Sequence, residues 1–199
     1  MIENTLLESY QAKKVSFKKG EIIFHENQKA DYYYQIITGK VKMCYYSQDG
    51  NEVLLGIFNK NESFGEPAIF AGFTYPANSE AIEDTILYKL HFEKLKELLK
   101  NNFEIHLKIT ALLSERLKYK SMIMKEISTH NPNHRILTLI DHYKKTVYLK
   151  SNEDLFKIPL TRQQIANMTG LTVETVIRSI KELENKKILQ IIKGKIYLS

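Results

Sequence analysis

The chain has a single cysteine and no apolar run of membrane-spanning length. One cysteine, Cys44, excludes a disulfide within the chain and an iron–sulfur cluster held by one chain's cysteines. It lies in an alternating apolar segment and is expected as a small core side chain. No stretch approaches the ~20 apolar residues of a membrane helix, and the first residues lack a signal-peptide core. The expectation is a soluble, cytoplasmic protein with no membrane partner. Low-complexity tracts and internal repeats are absent. So are a phosphate-cradling glycine loop, a nucleophile motif and paired carboxylates in a glycine-rich setting, which argues against an enzyme. The six histidines are scattered without metal-ligand spacing. His25 and His91 are expected as surface or packing residues, and no metal is expected.

Charge is present but unevenly placed. Residues 1–130 balance 17 Lys+Arg against 17 Asp+Glu, whereas residues 131–199 hold 12 against 6. The whole net charge of +6 therefore falls in the last third. That is the footprint of a phosphate-facing domain.

The same third contains Thr161 to Leu183, laid out as a helix-turn-helix. Thr161 and Gln164 form a capping-box pattern. Ala166 is small where two helices would cross, Gly170 can take the positive φ of the turn, and Thr172 can cap the second helix. On that helix Val176, Ile180 and Leu183 share an inward face. Val173, Glu174, Ile177, Arg178 and Lys181 share the outward one, near the N-terminus where base contacts are made. Downstream, Ile188–Ile191 and Lys195–Leu198 joined through Lys193-Gly194 read as a basic hairpin. As a wing it would bring Lys193 and Lys195 to phosphate.

The first part reads as short strands between turns, expected as an antiparallel barrel or roll. Val41, Met43 and Tyr45 alternate with Lys42 and Cys44; Val53, Leu55 and Ile57 alternate after the turn at Gln48–Asn51; Ile86, Tyr88 and Leu90 form a last strand. The pattern then turns helical over Phe92–Leu99, broken at Asn101-Asn102. Phe103 to about Thr129 has no Gly or Pro. In it Leu113, Leu117, Lys120, Met124 and Ile127 follow a four–three spacing, a heptad seam for a second copy of the chain. The alternative is a stripe that packs only on its own roll. Asn131-Pro132-Asn133 marks a hinge, and His134 to about Tyr148 is a further helix. The expected class is α+β: a β-roll over 1–102, a dimerisation helix over 103–130 and a winged helix-turn-helix over 131–199.

With these parts in this order, the chain resembles the Crp/Fnr transcription regulators over nearly its full length. The local match runs from Gly170 through Leu171, Thr172, Val173, Glu174 and Thr175 to Arg178, and looks like the recognition helix of the fumarate–nitrate regulator branch. His134-Arg135-Ile136 and Phe64-Gly65-Glu66 also fit. The resemblance implies base reading by Glu174 and Arg178, with Val173 and Ile177 beside them. It implies phosphate contacts by Arg162, Gln163 and Thr175. The implied partners are palindromic double-stranded DNA, a second identical subunit, and RNA polymerase if the protein activates.

The departures from that family concern the effector. Cyclic-AMP-binding members follow Gly-Glu, about ten residues on, with Arg-Ser-Ala or Arg-Thr-Ala, the Arg pairing with the cyclic phosphate. Here the matching stretch is Tyr75-Pro76-Ala77-Asn78, with Pro76 at the Arg position. The small hydroxyl residue that meets the purine aligns with Lys120, and Ser121 follows. The oxygen sensors' cysteine cluster is missing, and residues 64–85 offer no Cys or His for haem. The expectation is an effector pocket near Gly65, Glu66, Tyr75, Pro76, Ala77, Asn78, Lys120 and Ser121 that does not take cyclic AMP, and no cofactor. A small-ligand sensor module that does not act on DNA is the competing function.

Overall fold

The computed structural model describes residues 1–129, 131–147 and 155–198. Its first elements are α1 (Asn4–Ser9), β1 (Lys13–Phe17), β2 (Ile22–Phe24), β3 (Tyr32–Thr38), β4 (Val41–Tyr46), β5 (Glu52–Phe58), β6 (Ser63–Phe64), α2 (Glu66–Ala71), β7 (Asn78–Ala81) and β8 (Thr85–His91). Then follow α3 (Phe92–Asn101), α4 (Phe103–Thr129), α5 (Pro132–Val147), β9 (Phe156–Lys157), α6 (Arg162–Thr169), α7 (Val173–Asn185), β10 (Leu189–Ile192) and β11 (Lys195–Leu198). The chain forms two compact units, Met1–Ser114 and Glu115–Ser199, which divide within α4.

The first unit is a roll of two antiparallel four-stranded sheets, β1-β8-β3-β6 and β2-β7-β4-β5. The first of these sheets is covered on both faces. Tyr34, Ile36 and Leu87 enter a core with Phe24, Val41 and Phe64. Tyr33, Tyr88 and Leu90 enter a second core with Leu7, Leu95 and Leu98, under the helices. Two buried faces remove the alternation that marks a half-exposed strand. Hence the expected set Ile86, Tyr88, Leu90 is corrected: Leu87 is fully buried and Ile86 is 40% exposed.

A bulge between Met43 and Cys44 likewise breaks the alternation expected across β4 and β5. Met43 and Cys44 are both buried, and on β5 it is Leu54, not Val53 or Leu55, that is buried. Cys44 is a core residue as expected, and burial pushes its thiol up to about 11, so it stays protonated. Between β3 and β4, Gly39 has φ +93°, and a Cβ there would stand 2.6 Å from the Thr85 Cα, so only glycine fits.

In the second unit α5, α6 and α7 enclose a core of Ile136, Leu139, Ile165, Val176, Ile180 and Leu183, all buried. Pro132 opens α5, where its missing N–H costs nothing. Asn131 caps that helix by accepting from the His134 N–H at 3.2 Å. The helix end expected near Tyr148 lies outside the described residues. Strands β10, β11 and β9 form a three-stranded antiparallel sheet.

Candidate nucleic-acid interface

The second unit is built to present α7. At α6 the capping box is complete: the Gln164 N–H donates to the Thr161 hydroxyl at 3.2 Å, and the Thr161 N–H donates to Gln164 Oε1 at 2.8 Å. Gly170 ends α6 with φ +66°. Thr172 then accepts from the Thr175 N–H at 3.2 Å and starts α7. Each cap is worth about 1 kcal/mol, and together they fix both ends of the turn.

The faces of α7 divide as the periodicity requires. Val176, Ile180 and Leu183 are no more than 2% exposed. Glu174, Ile177, Arg178 and Lys181 are exposed, and Val173 is half-buried. Ile177, 48% exposed, is an apolar side chain left in water on the helix's outer face. Thr175 is half-buried, its hydroxyl 3.0 Å from that of Thr172.

The wing follows α7 and is a two-stranded hairpin. Ile192 pairs with Lys195 across the two residues Lys193 and Gly194, with φ of +47° and +76°. Two successive positive φ values make the primed turn that suits hairpin twist. Lys193 and Lys195 are both exposed. Arg162, at the start of α6, donates from Nη1 to the Gly194 carbonyl at 3.2 Å. It therefore ties the wing turn to the helix-turn-helix, a role with no signal in the local sequence. Gln163 is exposed and donates to Asn167 Oδ1 at 2.8 Å. At the wing's base, Glu184 accepts the Ile191 N–H at 3.2 Å.

The candidate effector residues are distributed differently. Tyr75 is 1% exposed, and its ring stacks on Phe24 with centroids 3.7 Å apart. Its hydroxyl donates to the Tyr32 carbonyl at 3.1 Å. Burial pushes that phenol up to about 12, which keeps it a neutral donor. Gly65 has φ +84°, and a Cβ there would stand 3.2 Å from the Tyr75 ring. Glu66 is wholly buried and accepts from the Ser63 hydroxyl. Ala77 is buried, Pro76 is exposed, and Asn78 accepts the Glu26 N–H at 3.0 Å. Tyr75 turns inward and takes up interior room with Phe24, Tyr34 and Phe64. Lys120 and Ser121 belong to the second unit and are exposed on α4. Surrounding protein and the Arg116 charge hold the Lys120 pKa below the ordinary lysine value.

On α4 the expected seam is also corrected at one end. Leu113 packs against the roll's outer core, being on the side of Ile105 and Ile109. Leu117, Met124 and Ile127 are 68, 73 and 46% exposed. Towards the N-terminus from Leu117, the same four–three spacing gives Ser114, Thr110, Leu107 and Phe103, the last two 46 and 65% exposed. The hydroxyls of Thr110, Ser114 and Ser121 donate to the carbonyls four residues earlier, at 3.0, 2.9 and 3.0 Å. Their polarity is spent on their own helix, so the stripe Phe103, Leu107, Ser114, Leu117, Ser121, Met124 can be buried at little polar cost.

A β-roll followed by a long helix and a winged helix-turn-helix, with an outward face of one carboxylate, two cations and an isoleucine, defines a DNA-binding transcription regulator. Two family models match: a cyclic nucleotide-binding domain over residues 14–102 and a Crp-like helix-turn-helix domain over residues 134–199. The chain belongs to the Crp/Fnr family of transcription regulators. It is 27% identical over 168 residues to the cAMP-activated global transcriptional regulator CRP of Pasteurella multocida, covering 84% of this chain and 80% of that one. It is 24% identical to the transcriptional activator protein Anr of Pseudomonas protegens, covering 86 and 70%. These relatives are regulators, not enzymes. In fold it is similar to the c-di-GMP-responsive global regulator CLP of Xanthomonas campestris, with TM-score 0.77 at 20% identity over 98% of this chain and 99% of that one. It is also similar to a CooA variant of Carboxydothermus hydrogenoformans, with TM-score 0.80 at 18% identity, covering 98 and 85%. Among the described residues no helix is long and apolar enough to cross a membrane.

Proposed function

We propose that the protein is a homodimeric regulator that binds a two-fold symmetric DNA site through α7 and the wing. The observation that carries this is the exposed face Glu174, Ile177, Arg178 together with exposed Lys193 and Lys195 on a wing turn held by Arg162, in the part of the chain that holds the net positive charge. Glu174 accepts from cytosine N4 and Arg178 donates to guanine O6 and N7. Val173 and Ile177 meet thymine methyls. Arg162, Gln163, Thr175, Lys193 and Lys195 hold phosphates. Half-sites lie about one helical turn apart. Residues 1–102 form the sensor, 103–130 the dimer helix and 131–199 the DNA-binding domain. The exposed stripe on α4, with its hydroxyls bonded to carbonyls of their own helix, supports the dimer. RNA polymerase is a partner if the outcome is activation. Selection of bound sequences from random duplex DNA tests the reading; enrichment of no palindrome would overturn it. Replacing Lys193 or Lys195 by Ala is expected to weaken all sequences alike. The slope of log affinity against log salt should fall by about one unit for each phosphate that is no longer neutralised. A change of sequence preference would instead place that lysine at a base edge.

The effector is not cyclic AMP in this reading. The named relatives differ among themselves, one cAMP-activated and one c-di-GMP-responsive, so family membership leaves the effector open. Pro76 supplies neither charge nor N–H, Glu66 adds an acidic group to the roll, and Tyr75 occupies interior space. An unpaired phosphate entering there loses several kcal/mol of hydration with no return. Calorimetry with cyclic AMP and cyclic GMP is expected to show no binding at micromolar concentration. Micromolar binding that disappears in Lys120→Ala would show that Lys120 replaces the missing arginine.

A further inference from the structure

Among the described residues Arg135 is a buried cation, 7% exposed in the first turn of α5. Its guanidinium reaches two other helices. Nη1 donates to the Thr169 carbonyl at 2.9 Å, and Nη2 donates to the Ile127 carbonyl at 3.2 Å. Thr169 is the last residue of α6, and Ile127 lies in the last turn of α4. Carbonyls at helix C-termini lack intrahelical partners and carry the negative end of the helix dipole. One planar cation therefore sits between two such ends. The Thr169 hydroxyl is turned back to the Ile165 carbonyl at 2.6 Å, away from this contact. Immediately after Thr169 comes Gly170, the left-handed residue from which α7 departs.

The neighbours of Arg135 join the same elements. His134 meets the buried carboxylate of Glu126 on α4, and Asn133 donates to Glu182 Oε2 on α7 at 2.9 Å. The His134 and Asn133 contacts are made by exposed or half-buried side chains. Of these three residues, Arg135 alone binds two carbonyls from the interior. A lysine there would carry the charge but not the rigid two-pronged donor.

We infer that Arg135 is a positioning residue for the recognition helix: it fixes the helix-turn-helix against the end of α4, so that the state of α4 sets the direction of α7. This rests on the DNA-binding reading only for its consequence, since the geometry itself can be measured without DNA. The test uses the full chain with nitroxide labels at Lys125→Cys on α4 and Lys186→Cys after α7, both exposed. With labelled chain diluted in excess unlabelled chain, so that each dimer carries one labelled pair, the expected result is a single narrow distance distribution in the otherwise wild-type chain. A broad one overturns the inference outright. In Arg135→Lys and Arg135→Met, chosen because Lys keeps the charge if Met fails to fold, the distribution should broaden or shift. Affinity for the selected palindrome should fall about tenfold or more, as for loss of hydrogen bonds to a charged group, while base preference and salt slope stay unchanged. An unchanged distribution in folded Arg135→Lys would overturn the inference, as would a smaller salt slope, which would put Arg135 on a phosphate. If the wild type binds no duplex at all, the DNA reading fails, while the distances still decide the role of Arg135.

Discussion

Leu117→Glu is expected to turn a dimer into a folded monomer and to abolish useful affinity for a palindromic site. Leu117 is 68% exposed on the single chain, so its replacement removes little of the protomer's own packing. The cost falls on the pair. Two leucines leave an apolar seam, each worth about 1.5–3 kcal/mol. Two carboxylates enter it facing each other, and desolvating each costs several kcal/mol. Since about 1.4 kcal/mol is a factor of ten, the dimer constant should weaken by at least about a hundredfold. Half-sites then bind singly and lose the gain of linked binding. Light scattering should give twice the chain mass for the wild type and the chain mass for the variant, with equal helix content by circular dichroism. A wild type that is monomeric at working concentration, or a variant that stays dimeric, would remove the seam from α4.

The second large effect belongs to Arg178. Its side chain is exposed on α7, so Arg178→Ala should leave the melting temperature nearly unchanged. A bidentate arginine–guanine contact is worth about 1–3 kcal/mol of discrimination, and a symmetric dimer loses it twice. Selection with the variant should return palindromes that no longer prefer one G·C pair in each half-site. Glu174→Ala should relax a different position, because the two residues lie four apart on the helix and, in the proposed docking, would reach different base pairs. Unaltered preference in Arg178→Ala would place base reading elsewhere on the surface.

The DNA-facing part is the more legible in sequence, because its signals are local. Thr161, Gln164, Gly170 and Thr172 each act within three or four residues, and every one takes the expected cap or turn. The inward set of α7 follows from a 3.6-residue period that needs no partner to be read. The roll is legible as a class but not in detail. Helices α1 and α2 escape sequence reading because each spans six residues, too short for a period. In β8 the inward residues differ from the alternating set because helices cover the sheet's second face, and in β4 because a bulge shifts the alternation.

What the sequence determined by itself was the order of the parts, the caps, the inward face of α7 and the concentration of positive charge after residue 130. Those follow from neighbours in the chain and from counting. What only the tertiary structure decided were contacts between residues far apart. These are the turn of Tyr75 onto Phe24, the attachment of Leu113 to the roll, the hold of Arg162 on the wing turn and the two-pronged contact of Arg135. Heptad spacing fixes which residues of α4 share a stripe, but which stripe faces its own roll depends on how that helix is rotated against the roll core. Likewise an arginine's charge is written in the sequence, whereas the carbonyls it meets are brought to it by the packing of other helices.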